Sequence, residues 1–253
     1  MRVLDLFAGI GGFSMGLEKA GFETVAFCEI DPYAQSVLKK NWPDIPVYDD
    51  VRCITADRLV SDGIRVDVIT GGFPCQDISV AGNQKGIDAE RSGLWSECAR
   101  LLGELRPRYA IFENVTALLN GDGGDWFKRV LWDISSIGYD AEWHCISASE
   151  LGAHHHRDRV WIVAYPSSEG LQRGEDAGNN AEDRKKPRDQ LIAGLGGVQR
   201  GIWETEPKVG RVANGIPKRS HRLKCLGNAV VPQIPEIIGN ILIKEAKDER
   251  SYS

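Results

Sequence analysis

Short apolar runs alternate with amphipathic stretches through the first two-thirds of the chain. The runs at Arg2–Phe7, Thr24–Glu29, Val66–Thr70, Tyr109–Phe112, Glu142–Ser147 and Arg159–Tyr165 predict strands, with a shorter one at Pro46–Tyr48. Helical spacing falls between them, at Gly12–Ala20, Pro32–Lys40, Leu94–Leu105 and Trp126–Ile137. Near-continuous runs such as VDVIT and YAIF suit strands buried on both faces, as in a mainly parallel sheet. The alternation predicts an α/β fold.

The pattern then breaks. From Ser167 to about Arg222 the chain is rich in Gly, Asn and charged residues, and GEDAGNNAEDRKKPRDQ cannot build a core by itself. Periodicity returns near Leu226, where GNAVVPQIPEIIGNILIKEA reads as a turn followed by an amphipathic helix. The expected organisation is a main body at 1–166, a small polar insert at 167–223, and a turn and helix at 224–253 that pack back onto the body. No internal repeat is seen.

Composition adds bounds. At 253 residues with 42% hydrophobic and 26% charged positions, the chain can bury a sizeable core and is neither disordered nor fibrous. No apolar run is read as a membrane span, and MRVLDLFAGI, interrupted by Asp5, is not read as a signal peptide. The expectation is a cytoplasmic protein with no membrane partner. Six cysteines, none closer than 22 residues to the next, offer no zinc-type pair and read as reduced thiols, mostly core filler. The net charge of −5 argues against a polyanionic partner until its distribution is examined. Residues 151–225 hold 14 basic and 9 acidic side chains, a net of +5, while the remainder nets −10. A basic segment on an acidic body suits a phosphate backbone, although a solvated mixed-charge loop would have the same composition.

Candidate chemistry sits at predicted strand ends. After the first strand, Gly9, Gly11 and Gly12 form a turn into a helix, and Glu29 ends the second strand. An acidic residue there can hold ribose hydroxyls. Ser14 stands at the sixth position counted from Gly9, so the spacing is not the G-x-G-x-x-G of pyrophosphate-binding dehydrogenases. A nucleoside cofactor without phosphates, such as S-adenosylmethionine, fits better; a tight turn without ligand is the alternative. Gly71-Gly72-Phe73-Pro74-Cys75-Gln76 follows another strand, where open α/β sheets bind ligands. Cys75 is a candidate nucleophile or a buried turn cysteine. Glu113 and Asn114 follow YAIF, and Glu113 could be a burial-protonated acid or a helix cap. Arg157 and Arg159 alternate at a strand start, and His154, His155 and His156, being consecutive, are not read as metal ligands. No metal is expected.

In order, these segments resemble the DNA cytosine-5 methyltransferases, above all compact bacterial and bacteriophage members. The matching residues are DLFAGIGGFSMGLEKAG, the Glu29 strand end, GGFPCQ, ENV, R-D-R before VWIVA, and GNAVVP, spread over 1–166 and 224–253. The resemblance implies a Rossmann-like S-adenosylmethionine-dependent methyltransferase sheet with a small target-recognition insert. It implies a cofactor pocket of Phe7, Ala8, Gly9, Gly11, Gly12, Glu29, Ile30, Asp50, Pro74, Leu94, Asn228 and Val230. Phe7 would lie against the adenine, Glu29 on the ribose and Asp50 near the adenine amino group. It further implies Cys75 as nucleophile on cytosine carbon 6, Glu113 at ring nitrogen 3, Arg159 at the base oxygen and Arg157 in support. The substrate would be a cytosine flipped out of double-stranded DNA, acted on by a monomer in a bacterial or phage-infected cell, with a cognate restriction endonuclease as companion. Two departures stand out. His155 replaces a glutamine common in the family, and the insert of some 57 residues is short for a target-recognition region. An RNA cytosine-5 methyltransferase and a catalytically inactive DNA-binding relative are the competing readings; the Cys-Phe-Thr signature usual in the RNA branch is absent.

Overall fold

The computed structural model describes residues 1–74, 93–153, 157–167 and 219–251. Seven strands form one sheet in the order β3-β2-β1-β4-β5-β7-β6. They are β1 (Arg2–Leu6), β2 (Glu23–Cys28), β3 (Val47–Tyr48), β4 (Val68–Gly72), β5 (Tyr109–Val115), β6 (Tyr139–Ser147) and β7 (Asp158–Pro166). The first five run parallel, whereas β7 is antiparallel to both β5 and β6. The helices are α1 (Gly12–Lys19), α2 (Pro32–Asn41), α3 (Ala56–Ser61), α4 (Leu94–Leu105), α5 (Ala117–Asn120), α6 (Asp125–Ser136), α7 (Arg219–Asn228) and α8 (Gln233–Ser251).

The period-2 alternation of each buried strand divides the core into two layers. Leu4, Leu6, Ile69, Ala110 and Phe112 face a cluster completed by Trp95, Leu101 and Leu102 of α4 and by Val130 and Ile134 of α6. Val3, Val68 and Ile111 face the other way, onto Phe13 and Leu17 of α1 and Ile234, Ile238 and Leu242 of α8. Two glycines let α1 and α8 approach. A Cβ at Gly16 would sit 2.1 Å from the Pro232 carbonyl oxygen, and one at Gly239 would sit 2.8 Å from the Ala20 Cβ. Helix α8 therefore docks closely on α1.

The segment 220–248 has the length and apolarity of a membrane span. In the fold it is two helices broken at 229–232, with Ile234, Ile238 and Leu242 buried against the sheet. Helix α7 spans Arg219–Asn228. The expectations for Glu113, Asn114 and the cysteines need correction. Glu113 and Asn114 lie inside β5 rather than after it, because the ladder to β7 continues through Val115. Of the cysteines described, Cys28 and Cys98 are buried, but Cys53 and Cys145 are exposed. Cysteine as core filler thus holds for only part of the set.

Candidate active site

The carboxyl ends of β1, β2, β4 and β5 gather most of the residues singled out in the sequence. Phe7 leaves β1 with φ 53°, followed by Gly9 at φ 56° and Gly11 at φ 87°. Glycine tolerates this left-handed backbone, but Phe7 does so only at a strain that the surrounding loop must hold. Gly11 also lies against the ring of Trp42, where a Cβ would come within 2.6 Å. A Cβ at Gly9 would meet nothing within 4 Å, so the loop opens onto free space there. Gly12 lies against Val230, whose carbonyl oxygen would be 2.6 Å from a Cβ.

Glu29 joins two of these segments. Its Oε2 accepts from the Gly9 backbone N–H at 2.7 Å, and its Oε1 accepts from the Asp31 N–H at 2.8 Å. Each oxygen keeps a second lone pair for an incoming hydroxyl. Ile30 beside it is an apolar side chain 76% exposed. Asp31 caps α2 and holds Lys224 of α7 at 3.3 Å. Burial raises the Asp31 carboxyl, but the N–H groups of Ala34 and Tyr33 together with Lys224 outweigh it and hold the group below its usual range. Asp50 caps the short turn Val51–Cys53 through the Arg52 N–H at 2.9 Å. Leu94 opens α4 and is half-buried against the core.

A second group stands at the ends of β4, β5 and β7. Glu113 is buried, and its Oε1 pairs with the Arg159 Nε at 2.9 Å. Burial pushes its carboxyl up, and the guanidinium groups of Arg159 and Arg157 pull it only partly back. Arg157 is held below its usual value by burial and by Arg159. It donates to the Gly227 carbonyl oxygen and so ties the start of β7 to α7. Asn114 donates from Nδ2 to the Phe73 oxygen at 3.1 Å, fixing the backbone just before Pro74. Arg157, Arg159, Ile10, Met15 and Leu226 help line a cavity of about 750 Å³ between the start of α1 and the α7–α8 link.

Cys75, His154, His155 and His156 lie outside the described residues. Asn228 ends α7 at the surface, and its side chain is exposed. The sequence reading missed Asp5, buried beneath the glycine loop, where its carboxylate accepts from Ser14 Oγ at 2.8 Å and Thr70 Oγ1 at 2.9 Å. It also missed Trp42 under Gly11 and Lys224 on Asp31. The one available signal was a lone acid inside the apolar run VLDLF.

A sheet of this order with a glycine loop and a strand-end glutamate at its carboxyl edge defines a Rossmann-like domain. The chain belongs to the C-5 cytosine-specific DNA methylase family, whose model matches residues 1–212. It is 37% identical over 168 residues to the Type II methyltransferase M2.BsuMI of Bacillus subtilis, covering 65% of this chain and 42% of that protein. It is 31% identical over 172 residues to the Type II methyltransferase M.HhaI of Haemophilus parahaemolyticus, covering 68% and 51%. The chain therefore spans about half or less of the length of these relatives. Among solved structures, a putative DNA modification methyltransferase encoded within an E. coli prophage superposes with a TM-score of 0.57 at 28% identity, covering 68% of this chain and 47% of that one. The Entamoeba histolytica methyltransferase EhMeth shares the fold at a TM-score of 0.66 and 14% identity, covering 97% and 98%.

Proposed function

We propose that this chain methylates carbon 5 of a cytosine flipped out of double-stranded DNA, with S-adenosylmethionine as methyl donor. One observation carries the reading. The buried Glu113–Arg159 pair and the Gly9–Glu29 loop occupy the same sheet edge, from which Pro74 leads directly into Cys75.

The residues present fit the cofactor. The loop of Phe7, Ala8, Gly9, Gly11 and Gly12, left-handed at Phe7, Gly9 and Gly11, opens onto free space at Gly9, and the spare lone pairs of Glu29 suit ribose hydroxyls. Ile30, Phe7, Leu94 and Pro74 offer apolar surface for a purine, with Asp50 as acceptor for its amino group and Asn228 and Val230 on the far side. When bound, S-adenosylmethionine supplies an electrophilic methyl group.

The chain's own residues make the base reactive. Carbon 5 of cytosine is a weak nucleophile, and the Cys75 thiolate adds to carbon 6, turning the ring into an enamine. Glu113, with its carboxyl pushed up by burial, shares a proton with ring nitrogen 3 and steadies the charge that develops. Arg159 binds the base oxygen as a fixed donor, and Arg157 holds the β7 start against Gly227. After methylation, solvent water takes the carbon-5 proton, and the freed C–H pair re-forms the 5,6 double bond as Cys75 leaves as thiolate, restoring the aromatic ring. Flipping the base costs a few kcal/mol of lost stacking, which phosphate contacts from the basic 151–225 segment offset.

One flipped base needs one copy of the chain, so a monomer suffices. Its setting is the cytoplasm of a bacterial or phage-infected cell, and a restriction endonuclease reading the same sequence is its natural companion.

The test is covalent capture. Duplex DNA carrying 5-fluorocytosine at target cytosines, incubated with protein and S-adenosylmethionine, should yield a denaturation-resistant adduct at Cys75, because fluorine cannot leave as the proton does. Cys75→Ser should give none. An active enzyme that is never trapped would overturn the thiolate chemistry.

A further inference from the structure

Asp50 caps the short turn Val51–Cys53, with its carboxylate on the Arg52 N–H at 2.9 Å and 3.8 Å from the Arg52 guanidinium. It follows the two-residue strand β3 and precedes the six-residue helix α3. Val51 and Ile54 bury their side chains in the core and anchor the loop. Their carbonyl groups are gathered by one residue from a distant element. Arg100 of α4 donates from Nη2 to the Ile54 oxygen at 2.9 Å and to the Val51 oxygen at 3.3 Å. The rest of its fork is fixed on α4, with Nε on Glu97 Oε2 at 2.8 Å and Nη1 on Glu104 Oε1 at 2.8 Å. Glu104 completes the clasp by accepting the Ala56 N–H at 3.2 Å. The planar guanidinium thus has each nitrogen engaged, which the single ammonium of a lysine cannot reproduce.

The clasp would join the two sides of the nucleoside site to which the cofactor reading assigns Leu94 and Asp50. Leu94 opens α4 six residues before Arg100, about 9 Å along the helix axis. Asp50 immediately precedes Val51, whose carbonyl Arg100 holds. We infer that Arg100 is a positioning residue that fixes Asp50 relative to α4 and thereby sets the preference of the pocket for a 6-aminopurine nucleoside. This rests on the cofactor reading above and adds to it the residue through which adenine recognition is enforced. Val51 and Ile54 are buried in the core, so removal of Arg100 should loosen the loop that carries Asp50 more than the fold.

Calorimetric titration with S-adenosylhomocysteine and with S-inosylhomocysteine, whose hypoxanthine lacks the amino group, tests this. Wild-type protein should prefer the adenosyl compound. Arg100→Met should weaken adenosyl binding roughly five- to tenfold, the scale of one or two hydrogen bonds, and leave inosyl binding nearly unchanged. Arg100→Lys should fall between, and it carries the test should Arg100→Met not fold. In an Asp50→Ala background, Arg100→Met should add no further loss. Equal weakening of both ligands, or an undiminished loss in the Asp50→Ala background, would overturn the inference while the cofactor reading stands. Failure of wild-type protein to bind S-adenosylhomocysteine at all would overturn both. In steady-state methylation the same variant should raise the cofactor KM and leave kcat at saturation within about twofold, the signature of lost binding rather than lost transition-state contacts.

Discussion

Asp5 lies wholly buried between β2 and β4, with the hydroxyls of Ser14 and Thr70 on its two oxygens. Burial raises its carboxyl to about 6, more than those two hydrogen bonds can offset. Since the folded value exceeds the unfolded one, the folded state holds its proton longer. This group's stabilising effect is therefore complete below about pH 4, is lost as pH rises toward 6, and is flat above. A shift of that size corresponds to about 3 kcal/mol. Asp5→Asn should unfold in urea with a midpoint that gains on the wild type between pH 4 and 6, after which the gap is constant; a gap independent of pH would contradict the ionisation argument. Asp5 shows why single residues differ in legibility. Cys75 and Glu113 stood out because their chemistry matched a motif around them. Asp5 sits in an apolar run, where only the arrival of Ser14 and Thr70 from α1 and β4 reveals a partnered carboxylate. At Arg159 the motif was visible, but its pairing with Glu113 depends on the antiparallel register of β7 on β5.

Strands buried on both faces were readable as elements because nearly every position is apolar, as in β1, β4 and the first half of β5. Polar residues hid the rest. Glu113 and Asn114 interrupt the apolar run without interrupting the ladder, and α7 carries Arg219, His221, Arg222 and Lys224 with little apolar periodicity. The short α3 and α5 gave no periodic signal for lack of length. The docking of α8 on α1 was only partly legible: the amphipathic pattern showed a buried face but not its partner. That partner follows from Gly16 and Gly239, which bring the helices close enough for Ile234, Ile238 and Leu242 to pack beside Phe13 and Leu17. Burying those three side chains contributes roughly 1.5–3 kcal/mol each. Gly16→Ala should cost about 2–3 kcal/mol in urea unfolding, since its Cβ would meet backbone at Pro232. Gly103→Ala is the contrast. It lies exposed inside α4 with its nearest neighbour 3.8 Å from a Cβ, and it should stabilise by about 0.5–1 kcal/mol. Equal effects at the two sites would refute the close-approach argument.

Charge organises the whole molecule. The net −5 combines a segment 151–225 of net +5 with a remainder of net −10, so an acidic total is compatible with a polyanionic partner. Observed DNA affinity should fall steeply with salt, with a log–log slope of about −4 or steeper if five or more phosphates are neutralised. A slope near zero in filter-binding or fluorescence titrations would remove the phosphate contacts from the account. The order of strands was beyond the sequence, since alternation predicts a parallel sheet without saying that β7 inserts between β5 and β6. That insertion delivers Arg159 to Glu113 at the edge where the glycine loop and Pro74 end. The proposed activity is Cys75-dependent methylation of cytosine in DNA. Base-resolution sequencing of DNA from cells expressing the wild-type chain should show 5-methylcytosine confined to a defined sequence, absent with Cys75→Ala. Identical, background-level methylation in both cultures, with folded protein present, would contradict it.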